Sequence, residues 1–135
     1  MRKLLVAGLV SLGVLVGLAG CTNTLQSTEV TQLNGMRYEI TVSEYDSGLW
    51  RVADVLINGQ TVLSIDPKTS SDIAAACTKV RKRGSFTITC VYKSTFEGKQ
   101  LEVRKVTRSS LLALSINYEV YLSGDLLEVV SIRNQ

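Results

Sequence analysis

The chain has 135 residues, with 15 Lys and Arg against 12 Asp and Glu, a formal net charge of +3, and no histidine. The missing imidazole excludes Ser-His-Asp and Cys-His catalysis, and removes the commonest zinc ligand and the side chain that titrates near neutrality. Arg2 and Lys3 account for two of the cations, so from residue 21 onward 13 cations meet the same 12 acids, and a balance of +1 exerts no general pull on nucleic acid.

Residues 1–20 have three parts. Arg2 and Lys3 give a short positive start, Leu4 to Gly17 is apolar and uncharged, and Leu18-Ala19-Gly20 is small or apolar and suited to cleavage. That is the layout of an export signal. Glycines at 8, 13 and 17, and an apolar length near the lower limit of about 17–25 residues, argue against a membrane-spanning helix.

The stretch Leu18-Ala19-Gly20-Cys21 resembles the lipobox of bacterial lipoproteins. The resemblance covers only the leader. It implies that Cys21 opens the mature chain and carries a covalent diacylglycerol and an N-acyl chain. Each buried methylene contributes about 0.8 kcal/mol, so two or three acyl chains hold a water-soluble module at a bilayer where one would not. Thr22 differs from the aspartate that retains such proteins in the inner membrane. The resemblance therefore implies an outer-membrane address, with the domain facing the periplasm or the cell surface.

Residues 21–35 then read as a lipidated cysteine followed by a flexible polar tether. Residues 36–135 read as a single β-rich globular domain. Tyr38, Ile40 and Val42 alternate with polar neighbours, as in a half-buried strand. After a turn at Asp46-Ser47-Gly48, Leu49 to Ile57 forms a second strand. Asn58-Gly59 closes a two-residue hairpin onto Gln60 to Ile65, because both central residues of a type I′ turn need positive φ.

Past Asp66-Pro67, Ser70 or Ser71 can cap a helix. Ile73, Ala76, Cys77 and Val80 lie at i, i+3, i+4 and i+7, one apolar stripe. Lys79, Arg81, Lys82 and Arg83 suit a helix C-terminus, and Gly84 its left-handed stop. Strands resume at Ser85 to Tyr92, Leu101 to Thr107, Leu111 to Leu122 and Leu126 to Arg133. In the last strand the apolar phase slips between Leu127–Val129 and Val130–Ile132, which predicts a bulge or burial on both faces. The expected fold is α+β: an antiparallel sheet of about six or seven strands, as a meander, sandwich or partial barrel, with one helix.

In an oxidising compartment Cys77 and Cys90 are expected to form a disulfide. On this reading it joins the apolar stripe of the helix to the apolar face of a strand. The basic run Lys79, Arg81, Lys82 and Arg83 is either a solvated helix end or a contact for an anionic partner. Leu111, Leu112 and Leu114 are either core or an exposed patch. Tyr45 and Trp50 are either core or an aromatic contact site.

No Ser-x-x-Lys, G-x-S-x-G or phosphate-cradling glycine motif occurs, and the acids are scattered singly. The expectation is a non-enzymatic outer-membrane lipoprotein that binds an envelope protein as an assembly or accessory factor. No cofactor, metal or nucleic acid is expected. The rival readings are a surface or periplasmic inhibitor or exclusion factor, comparable in type to tethered lysozyme inhibitors, and a carrier of a lipid or other apolar ligand.

Overall fold

The computed structural model describes residues 24–47, 50–66 and 77–134. The leader, Cys21 and residues 67–76, which include the first part of the expected helix, lie outside the described residues. The described chain is entirely β, with nine strands in two antiparallel sheets and no helix among them. This corrects the α+β expectation and its single sheet. The chain divides into two compact units, Met1–Thr69 and Ser70–Gln135.

The first unit holds a four-stranded meander of β1 (Leu25–Leu33), β2 (Met36–Ser47), β3 (Trp50–Ile57) and β4 (Gln60–Ile65). Strand β1 occupies most of the stretch expected to be a tether. It pairs with β2 from Leu25 opposite Glu44 to Leu33 opposite Met36. Asn34 and Gly35, with φ of 53° and 78°, make the reversal. On an edge strand whose residues are mostly half-exposed, polar side chains suffice, so hydrophobic alternation is absent.

Tyr38, Ile40 and Val42 of β2 share a buried face with Ala53, Val55 and Ile57 of β3. Glu44 continues that face and is also buried. Arg51 approaches it, with Nε 3.4 Å from Glu44 Oε1, and donates from Nη1 to Asp46 Oδ1 at 2.7 Å. On the opposite face the hydroxyls of Thr28 and Thr41 meet at 2.8 Å.

The second unit holds a five-stranded meander: β5 (Cys77–Lys82), β6 (Ser85–Phe96), β7 (Lys99–Ser110), β8 (Leu114–Leu122) and β9 (Asp125–Asn134). Tyr92, Phe96, Leu101, Val103, Tyr118, Val120 and Leu122 build its buried face, with Val103 opposite Val120 and Leu101 opposite Leu122. Removing these side chains from water is the main force holding the strands in register, because a one-residue slip would turn the whole set to the other face. The pairing of β9 skips Leu127 and Ile132, so the strand carries two bulges, one on either side of the Val129–Val130 step where its apolar phase slips and where the pairing is regular.

The Cys77–Cys90 disulfide is present, with an S–S distance of 2.02 Å. Its setting differs from the expected one. Cys77 lies in strand β5 directly opposite Cys90 of β6, so the bridge joins neighbouring strands and not a helix to a sheet. Residues 77–82 form no helix because they pair residue by residue with 85–90. Gly84 has the left-handed backbone expected of it, φ 76°, but it serves a hairpin turn.

Candidate interaction site

The sequence-selected cations and leucines of the second unit converge at one end of its sheet. Lys79, Arg81 and Lys82 lie on β5 and Arg83 in the turn after it; all four are exposed. Lys79 Nζ sits 4.6 Å from the centre of the Phe86 ring, a cation–π contact that orients it along the hairpin. Strand register carries the same end across the sheet: Lys82 faces Ser85, Ser85 faces Ser110, and Thr87 faces Arg108. Arg108 was not singled out by sequence and is exposed here.

The β7–β8 connection closes this end. The Ser110 amide donates to the Ala113 carbonyl at 2.9 Å, leaving Leu111 and Leu112 at the tip. Their exposures are 92% and 95%. The long strand expected over Leu111 to Leu122 is thereby shortened: β8 begins at Leu114, which is half-buried. Core burial fails for Leu111 and Leu112. Burying a leucine contributes about 1.5–3 kcal/mol, and neither side chain contributes that to this fold. Hairpin tips ordinarily carry Gly, Asn, Asp or Ser. Two leucines in that place are a departure that folding does not explain.

A surface cleft of about 370 Å³ lies between the two turns, lined by residues that include Arg81, Lys82, Phe86, Ser109 and Leu111. The acids are segregated along the sheet. The segments 77–88, 104–118 and 129–134 contain no Asp or Glu, whereas Glu97, Glu102, Glu119, Asp125 and Glu128 occupy the rest of the strands and the opposite turns.

A second polar group lies across β7 and β8. Arg104 Nε donates to Glu102 Oε2 at 2.6 Å and its guanidinium stacks 4.7 Å from the Tyr121 ring centre. The Tyr121 hydroxyl donates to Glu119 Oε1 at 3.1 Å. The hydrogen bond to Glu102 raises the Arg104 pKa, and burial together with the bond to Glu119 raises that of Tyr121. These groups partner one another across the strands and stabilise the register there.

Tyr45 and Trp50 belong to the first unit. Tyr45 is half-buried opposite Val52, and burial, followed by Asp54, raises its pKa. Trp50 opens β3 opposite Ser47, and its side chain lies outside the described residues. No group of three or more His, Cys, Asp or Glu able to hold a metal occurs among the described residues. Comparison with protein-family models, with curated proteins and with solved structures finds no match.

Proposed function

We propose that the chain is a lipid-anchored accessory protein of the outer membrane that acts by binding an envelope protein and not by catalysis. The lipobox-like Leu18–Cys21 stretch supports the anchor, and the lack of histidine supports the non-catalytic role.

The observation that carries the binding reading is strand β5. It is an edge strand of its sheet, and Thr78 to Lys82 are exposed without interruption. An edge strand offers a row of backbone N–H and C=O groups to an incoming strand, and the disulfide at Cys77 holds this one in place. Lys79 and Arg81 bias the choice toward an acidic partner segment.

A photo-crosslinking residue at Val80, which is 55% exposed, should yield a discrete protein adduct in intact cells. Lys79→Glu with Arg81→Glu should abolish it while expression and melting temperature hold. Absence of any Val80 adduct, or an adduct indifferent to the charge reversal, refutes the edge-strand mode.

A further inference from the structure

We propose that the Leu111–Leu112 turn and the cations beside it form a second membrane contact, which takes the anionic phospholipid headgroups of the bilayer holding the acyl anchor. The contact presupposes the acylated Cys21 proposed above.

Three observations carry it. First, Leu111 and Leu112 project at 92% and 95% exposure from a tip rather than lying in a flat patch. Two side chains fall far short of the roughly 1,200 Å² that a stable protein–protein interface buries, whereas a bilayer interface accepts small apolar wedges. Second, Lys82, Arg83 and Arg108 flank the leucines at an end of the sheet that carries no acid. Leucines entering the acyl boundary and cations level with the phosphates are the two components of interfacial binding.

Third, the reach of the anchor is short. Strand β1 begins at Leu25, four residues after Cys21. At no more than about 3.6 Å per residue, the chain spans on the order of 14 Å between them. The first unit therefore stays beside the bilayer, and the second unit is covalently continuous with it, so a contact of the second unit too weak to recruit it from solution becomes an intramolecular event at raised effective concentration. Of the cations assigned to the membrane, Arg83 and Arg108 lie outside the partner-binding strand β5, so they separate the two roles by mutation.

The test uses the mature acylated protein with Leu112→Cys carrying an environment-sensitive fluorophore. In vesicles of phosphatidylethanolamine and phosphatidylglycerol the emission should shift to the blue and be quenched by nitroxide-bearing lipid. In neutral phosphatidylcholine vesicles it should stay at its aqueous value. Lys82→Glu, Arg83→Glu and Arg108→Glu together should remove the shift while the protein still floats with the vesicles. A probe that remains aqueous in anionic vesicles overturns the proposal, as does a photo-crosslinker at 112 that captures protein and no lipid in cells. If the wild-type protein fails to float at all, the anchor itself is refuted, and this contact with it.

Discussion

Cys77 and Cys90 face each other directly across the first two strands of the second sheet, with their Cα atoms 4.0 Å apart. The bond fastens an edge strand that has little else to hold it. From Thr78 to Lys82 every residue of β5 is exposed, so no apolar burial supports its ladder of hydrogen bonds. Closing a loop with a sequence separation of 13 stabilises the fold by roughly 3 kcal/mol in the chain-entropy model.

Replacing both cysteines with serine should therefore cost about 2–4 kcal/mol, read from denaturant unfolding. Hydrogen exchange should rise first over residues 77–82, ahead of β7 and β8. Uniform acceleration across the sheet would show that the bridge supports the whole unit and not its edge.

Asn58 should be costlier to lose than an ordinary turn residue. Its backbone sits at φ 52°, its amide donates to the Glu39 carbonyl at 2.8 Å, and its Oδ1 accepts from the Glu39 amide at 2.9 Å. One side chain thus ties the β3–β4 hairpin back to β2. Asn58→Ala removes that bond and places alanine in a left-handed conformation, costing about 1–3 kcal/mol. Asn58→Gly keeps the backbone and loses only the bond, so it should fall between wild type and Asn58→Ala in chemical denaturation. Equal losses for the two variants would show that conformation carries none of the effect.

Alkaline pH should weaken the fold. Burial raises the Tyr92 phenol above its ordinary 10.0, and Tyr92 is only 7% exposed. The folded chain therefore holds this proton more tightly than the unfolded chain does. The resulting stability is fully present below pH 10.0 and is lost as pH rises through the higher folded value. Denaturant midpoints should be flat near neutrality and decline above pH 10.0, and Tyr92→Phe should reduce the decline. Tyr45 and Tyr121 shift in the same direction but are more exposed, so water screens most of their contribution.

How much of this could be read from the residues depended on whether burial had marked them. The strands Tyr38–Val42 and Ile116–Leu122 each bury one face, so their alternation was plain. Asn58-Gly59 announced its turn through residues that accept positive φ. Strands β1 and β5 are edges with little burial, and nothing forced their sequences to alternate. In β1 this left a polar stretch that resembled a tether.

In β5 the lack of alternation let Cys77 and Val80 read as the end of a helical stripe, and Gly84 suits a helix stop as well as a hairpin. The cysteine pair was identified, but with the wrong geometry, because Cys77 fits a helical stripe as well as a strand. The cation cluster was visible as a run. Its company was not, because Leu111, Leu112 and Arg108 reach it through strand register alone.

Exposure at the β7–β8 tip should separate binding from stability. Leu122 is 2% exposed on the buried face of β8, and Leu122→Ala should cost about 2–5 kcal/mol through lost burial and the cavity left behind. Leu111→Ser and Leu112→Ser, at positions more than nine-tenths exposed, should shift stability by no more than about 0.5 kcal/mol in either direction. Thermal unfolding of the three variants against wild type reads the difference directly. A large loss from either serine would mean that the tip packs against the protein itself and is not free for a bilayer. Unchanged melting would leave the two leucines without a part in folding, and the reason for apolar side chains at that turn would then lie in what the tip touches outside the chain.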